Sequence, residues 1–241
     1  MSIVSFSYFG QGKKTLILFP GWTHPAEKEP KFIKELSKKY SVLSVNLPGY
    51  SHNQDTKRYH NFHNLTKELH AELEKKNIRP VAFIGFSMGC RLIFSYNSIY
   101  PNNIRNIFIG SPIRSFDLPY WASFIFKYEF MIQILRNNSV FSQICVNMAL
   151  RNISSNPRAK FKPKYVSLIG AFDSLVGVIN CVERINTKPF SLFIYGEKDK
   201  YLKDARNKNI QNIKIVDGAD HNCVPGHEEE LVKIIDEEMN T

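Results

Sequence analysis

Apolar positions along this chain follow two periods that take turns. Val4, Phe6 and Tyr8 alternate with Ser5 and Ser7, the period-two pattern of a half-buried strand, and the stretch ends at Gly10-Gln11-Gly12, which predicts a turn between two paired strands. Thr15 to Phe19 is a short apolar run of the kind that fills a buried strand. Glu27 to Lys39 then sets Phe32, Ile33 and Leu36 on one side of a helix, and Val42 to Val45 forms another short strand stopped at Leu47-Pro48-Gly49. Asn61 to Lys76 repeats the helical spacing through Phe62, Leu65, Leu69 and Leu73. Strand Val81 to Ile84, helix Met88 to Tyr100 and strand Ile104 to Ile109 continue the series.

This alternation predicts an α/β fold, a mostly parallel sheet with helices on both faces. It breaks from residue 112 to residue 188, where the spacing of Phe124, Tyr128, Met131, Ile132 and Leu135 is helical. It resumes with strands Phe190 to Tyr195 and Ile213 to Val216 and a last helix Glu228 to Met239. Residues 1–111 and 189–241 therefore read as one α/β core, interrupted by a helical lid over 112–188, inserted after strand 6 if the first strand belongs to a hairpin.

Composition narrows the class only a little. The 241 residues are 43% hydrophobic and 22% charged, as in a globular protein. No run approaches the roughly 20 apolar residues of a membrane span, and Met1-Ser2-Ile3-Val4 lacks the basic and apolar regions of a secretory leader. A cytoplasmic location follows as the expectation. Cys90, Cys145, Cys181 and Cys223 are scattered without CxxC spacing, so neither zinc nor a redox pair is indicated, and no cofactor is expected. The net charge of +10 comes without a nucleic-acid motif and is expected to act on solubility and encounter.

The chemistry concentrates in three turns. Gly85-Phe86-Ser87-Met88-Gly89 stands between a strand and a helix, the context of a nucleophile elbow that lifts a serine hydroxyl above the sheet. A serine needs a base and an orienting acid. His221, in Gly218-Ala219-Asp220-His221-Asn222, and Asp199, in Gly196-Glu197-Lys198-Asp199, follow later strands in the expected order. Asp117 is the alternative acid, with Glu197 behind it, and Asp220 adjoins the histidine too closely to orient it. His24 falls at the mouth of such a site. For the oxyanion, the backbone N–H of Met88 and of Trp22, in Pro20-Gly21-Trp22, are the expected donors, Gly21 letting backbone approach the substrate.

Taken with Phe19-Pro20-Gly21-Trp22 and Asn46-Leu47-Pro48-Gly49-Tyr50-Ser51, these motifs resemble the α/β-hydrolase superfamily over nearly the whole chain. Within it the chain is most similar to small bacterial carboxylesterases of the pimeloyl-acyl-carrier-protein methyl ester esterase type. That resemblance implies an oxyanion N–H from the Gly-Trp pair and a helical lid between strands six and seven. It departs from the pattern at Pro20-Gly21, where His-Gly is usual, and at Asn46, where Asp is usual. The elbow serine sets it apart from the dehalogenases and epoxide hydrolases of this fold, which carry aspartate there.

The expected reaction is hydrolysis of a small carboxylic ester with a hydrophobic part, through an acyl-enzyme on Ser87. Thioesterase, lactonase, aminopeptidase and C–C hydrolase activities use the same residues, and a non-catalytic ligand receptor keeps the same scaffold. Phe86, Trp121 and Phe124 are candidate substrate contacts, and the lid aromatics from Phe116 through Phe126, Tyr128 and Phe130 suggest an apolar acyl pocket. Residues 112–188 carry ten Lys or Arg against four Asp or Glu, with Arg158, Lys160, Lys162 and Lys164 close together. That group is either a solvated basic segment or a dock for an acyl carrier protein.

Overall fold

Seven short apolar runs become the strands of one sheet in the computed structural model, which describes residues 3–53, 56–57, 61–112, 126, 128–153, 160–181 and 191–240. The strands are β1 (Ser5–Phe9), β2 (Thr15–Phe19), β3 (Ser41–Asn46), β4 (Ala82–Phe86), β5 (Arg105–Ile109), β6 (Ser191–Gly196) and β7 (Ile213–Val216). They lie in the order β1-β3-β2-β4-β5-β6-β7, all parallel except β1 at the edge.

The inner strands are apolar at successive positions because both faces of the sheet are covered. Leu16, Leu18, Ile84 and Ile109 face α1 (Pro30–Ser37) and the last helix, α8 (Glu228–Asn240), whose Phe32, Leu36, Leu231 and Ile235 are fully or almost fully buried. Ile17, Phe19, Phe83, Phe108 and Phe193 face the other way, toward α2 (Phe62–Lys75) and α3 (Met88–Ile99). Phe108 and Phe193 meet at 4.8 Å between ring centroids. Burying each such ring contributes about 1.5–3 kcal/mol. Pro30 opens α1 where a missing N–H is harmless, and Asn61 caps α2 by accepting from the N–H of Asn64 at 2.8 Å.

Two expectations about connectivity are corrected. β1 does not form a hairpin with β2; it pairs antiparallel with β3, from Ser5 opposite Asn46 to Phe9 opposite Val42. Both edges of β2 are taken by the parallel strands β3 and β4. The link through Gly10 and Gly12 instead passes over the end of α1: a Cβ on Gly10 would stand 2.4 Å from the Tyr40 carbonyl oxygen, and one on Gly12 2.2 Å from that of Lys39. The glycines serve a crossing, not a tight turn. With only β1 ahead of β2, the helical insertion follows the fifth strand of this chain and not a sixth.

The described part of that insertion holds α4 (Glu129–Arg136), α5 (Ser139–Ile153) and α6 (Leu168–Asn180); α7 (Lys200–Asn207) lies between β6 and β7. α6 starts at Ser167, whose hydroxyl accepts from the N–H of Gly170, and packs Ala171, Phe172 and Val176 into the core. Arg136 of α4 reaches Asp173 of α6 through two hydrogen bonds of 2.9 and 2.7 Å and donates to the Thr56 carbonyl, all in a buried setting. Among the described residues no helix is long and apolar enough to cross a membrane.

Candidate active site

β4 delivers the chain to Ser87, and α3 begins at the next residue. Ser87 stands at φ 45°, ψ −103°, a region that costs a non-glycine residue about 1–3 kcal/mol and persists only when surroundings enforce it. Its N–H donates to the Ile109 carbonyl at 2.8 Å, and its carbonyl accepts from Cys90 N–H at 3.1 Å. The flanking glycines are steric necessities. A Cβ on Gly85 would lie 2.7 Å from the Cys90 nitrogen, and one on Gly89 2.4 Å from the Phe19 carbonyl oxygen.

The loops after β6 and β7 bring the other two polar groups to the same end of the sheet. Asp199 caps α7: its Oδ1 accepts from Tyr201 N–H at 2.9 Å, while its Oδ2 lies 3.0 Å from His221 Nδ1. His221 Nε2 lies 3.0 Å from Ser87 Oγ. An ionised carboxylate only accepts, so the proton of a neutral His221 belongs on Nδ1, and Nε2 offers a lone pair to the serine hydroxyl. Asp199 is buried, and the ring of Tyr201 packs edge-on against the part-exposed His221 at 5.1 Å. Burial, reinforced by the charge of Asp199, pushes the Tyr201 hydroxyl up to about 12, so it stays protonated.

A tight turn shapes the loop after β2. Gly21 N–H donates to the His24 carbonyl at 3.1 Å and His24 N–H returns to Gly21 at 3.0 Å, leaving the N–H of Trp22 between them. Among the described residues this N–H meets no acceptor, nor does that of Met88 in the first turn of α3. Trp22, Ser87 and Met88 share a small cleft of about 20 Å³ with Leu175 and Val178 of α6. The Trp22 indole donates to the Ala171 carbonyl at 2.8 Å, and Thr23 N–H to the Tyr50 hydroxyl at 3.3 Å, so the loop is held from two sides.

A larger cavity of about 180 Å³ also opens at Ser87, with Gly21, Phe86, Ile109, Leu150 and Cys223 on its walls. Besides Ser87 and His221, its polar lining is Thr23, His24 and Asn222, and His24 Nε2 is paired with Glu29 at 2.5 Å. Burial, with the nearby Asp199 charge, pushes the Cys223 thiol up to about 12, so it remains protonated at neutral pH and is no rival nucleophile.

Ser87, Asp199 and His221 are thus brought together, and Gly21, Trp22, Phe86 and Met88 line the same two spaces. Glu197 turns away to accept from Gly218 N–H, and Asp220 from Asn222 N–H. Asp117, Trp121 and Phe124 lie outside the described residues. Tyr128 and Phe130 are exposed and do not line the acyl pocket expected of them, because the inward face of α4 is the one carrying Ile132 and Arg136; Phe126 is buried against Phe172 instead. Tyr201, Leu150, Leu175 and Val178 are additional walls. None of the four was singled out in the sequence; the signal for Tyr201 is its place two residues after Asp199, whereas the aliphatic three carry no mark separating a cavity wall from core. Among the described residues no cluster of His, Cys, Asp or Glu is arranged to hold a metal ion.

The sequence pattern of a family described as alpha/beta hydrolase fold matches residues 14–215. No curated protein matches the sequence. Among solved structures, an esterase from Exiguobacterium antarcticum is similar with a TM-score of 0.70 at 13% identity, covering 99% of this chain and 96% of that one. A carboxylesterase of the thaumarchaeon Nitrososphaera gargenis gives 0.68 at 15% identity over 97% and 93%. An enol-lactonase from Burkholderia xenovorans gives 0.68 at 14% identity over 99% and 96%. Identities this low speak for the fold alone.

Proposed function

The chain belongs to the α/β-hydrolase fold family, and from that premise we propose that it is a serine hydrolase of carboxylic esters with a hydrophobic acyl or alcohol part. The observation that carries the reading is the relay in which His221 stands 3.0 Å from Ser87 Oγ and 3.0 Å from the Asp199 carboxylate. In the proposed reaction His221 Nε2 takes the Ser87 proton as Oγ attacks the ester carbonyl carbon. The carbonyl electrons move to oxygen, and the N–H groups of Trp22 and Met88 hold that oxyanion. His221 returns the proton to the alkoxide, which leaves, and the acyl group stays on Oγ. Water, deprotonated by the same nitrogen, attacks the acyl-enzyme and releases the acid with Ser87 restored.

The helices between β5 and β6 act in this reading as a lid: Leu150 of α5 and Leu175 and Val178 of α6 supply apolar wall above Ser87. A cavity of about 180 Å³ and mostly apolar walls favour a modest hydrophobic group over a sugar or peptide. A cytoplasmic location belongs to the same proposal and rests on four free thiols.

The test is turnover of p-nitrophenyl esters of increasing acyl length by the parent protein and by Ser87→Ala. Hydrolysis by the parent that falls at least about 10³-fold in the variant supports the reading. Equal rates from both proteins, or failure of a fluorophosphonate to label Ser87, would refute it.

A further inference from the structure

Two helices of the insertion turn large apolar side chains to solvent. Phe130 and Ile134 lie four apart on α4, and Val140, Ile144 and Met148 recur every fourth residue on α5; these five side chains are 52–67% exposed. Spacing by four keeps each set on one helix face. The opposite faces, with Ile132 and Arg136 on α4 and Ser142, Val146 and Ala149 on α5, are buried, so the helices are already docked on the body. From Phe130 to Met148 every exposed position except Asn137 and Asn138 of the connecting turn and Ser139 at the start of α5 carries only hydrocarbon or a thioether. Single exposed apolar residues are ordinary, but an apolar ridge over two consecutive helices marks a contact surface.

The charge beside the ridge is mostly positive. Phe161 N–H donates to Asn147 Oδ1 at 2.8 Å, which holds the chain of the exposed Lys160 and Lys162 against α5 at the residue before Met148. Arg151 is exposed less than a turn beyond Met148, and Lys164 a little further along the chain from Lys162. Glu129 at the start of α4 is the single acidic residue of the two helices.

We infer that α4 and α5 form a peripheral docking face that seats on an anionic phospholipid bilayer, the apolar ridge entering the acyl boundary and Lys160, Lys162 and Arg151 meeting the headgroups. The basic side chains flanking the apolar ridge commit it to a lipid surface: aliphatic side chains enter the acyl boundary while anionic headgroups match the charge beside them. The same helix carries Leu150, two residues past Met148, into the cavity at Ser87, so docking sets a wall of that cavity at the lipid surface. The inference rests on this surface and stands apart from the chemistry assigned to Ser87.

The experiment is co-sedimentation of the full chain with vesicles of phosphatidylcholine alone and of phosphatidylcholine with phosphatidylglycerol, in low and physiological salt. The parent is expected to bind the anionic vesicles, more weakly as salt rises, and Ser87→Ala to bind as the parent does. Phe130→Ser combined with Ile144→Ser removes only exposed side chains, and an unchanged circular-dichroism melt verifies folding; binding is expected to fall at least about tenfold. Lys160→Gln combined with Lys162→Gln lowers binding about thirtyfold, from roughly 1 kcal/mol per basic residue at the surface. Failure of the parent to bind anionic vesicles, or binding unaffected by either double variant, overturns the inference. So does a dimer in solution that Phe130→Ser with Ile144→Ser dissolves, or saturable binding of a small acidic acyl carrier protein without binding to vesicles.

Discussion

At the residue scale, the candidate site depends on how a few side chains are held. Asp199 spends one carboxylate oxygen on the cap of α7 and the other on His221, so it is fixed before it orients the imidazole. Asp199→Asn keeps the shape but accepts a different tautomer, and ester turnover is expected to fall about 10³–10⁴-fold with little change in KM, as read from steady-state kinetics. Gly110 tests the same geometry from the sheet side. It has φ +60°, and a Cβ there would stand 3.1 Å from His221 Cε1, so Gly110→Ala should displace the ring and lower kcat while costing about 1 kcal/mol or more in a denaturation curve. The polar trio was legible in the sequence because each member sits in a glycine-bearing turn directly after a strand. Leu150, Leu175 and Val178 were not, since an aliphatic residue at helical spacing reads the same whether it meets the core or an opening.

At the scale of elements, the strands were foreseen and one pairing was not. A period-two run announces β1, but nothing local to it says which neighbour it will take; that was decided by β2 having parallel partners on both edges. The insertion shows the same division. Its helical spacing was visible, while the side facing solvent was not, because both faces of α4 and α5 carry apolar residues. The buried pair of Arg136 and Asp173, joined to the Thr56 carbonyl, ties α4 to α6. Arg136→Met leaves Asp173 buried without its cation and should lower stability by about 3–5 kcal/mol in chemical denaturation, with Asp173→Leu added to the same chain recovering most of it.

At the scale of the whole molecule, the sheet collects the ends of β2, β4, β6 and β7 at one edge, and that convergence gathers the candidate site from residues as distant in sequence as 22 and 221. The opposite pole is fastened by electrostatics: Asp236 of α8 meets Lys39 at 2.7 Å and the Tyr40 hydroxyl at 2.7 Å. These hydrogen bonds, that to Lys39 first, hold the Asp236 carboxyl below its usual range. A depressed folded value stabilises above the unfolded value, near pH 3.9, and that stabilisation is lost as pH falls through the folded one. Asp236→Asn should therefore lower the Tm at pH 7, and the gap between variant and parent should close on acidification below about pH 4, a comparison for scanning calorimetry.

The bond from the Trp22 indole to the Ala171 carbonyl bears on how such a chain can be rebuilt. By topology the helices between β5 and β6 look interchangeable, a cassette that a protein engineer would swap to alter selectivity. Yet that cassette owns the acceptor that braces the loop presenting the Trp22 N–H. A donor cassette lacking a main-chain carbonyl at that spot would leave the indole unpaired and the loop after β2 unbraced, so grafts here should be chosen by that one carbonyl before the shape of the cavity they enclose.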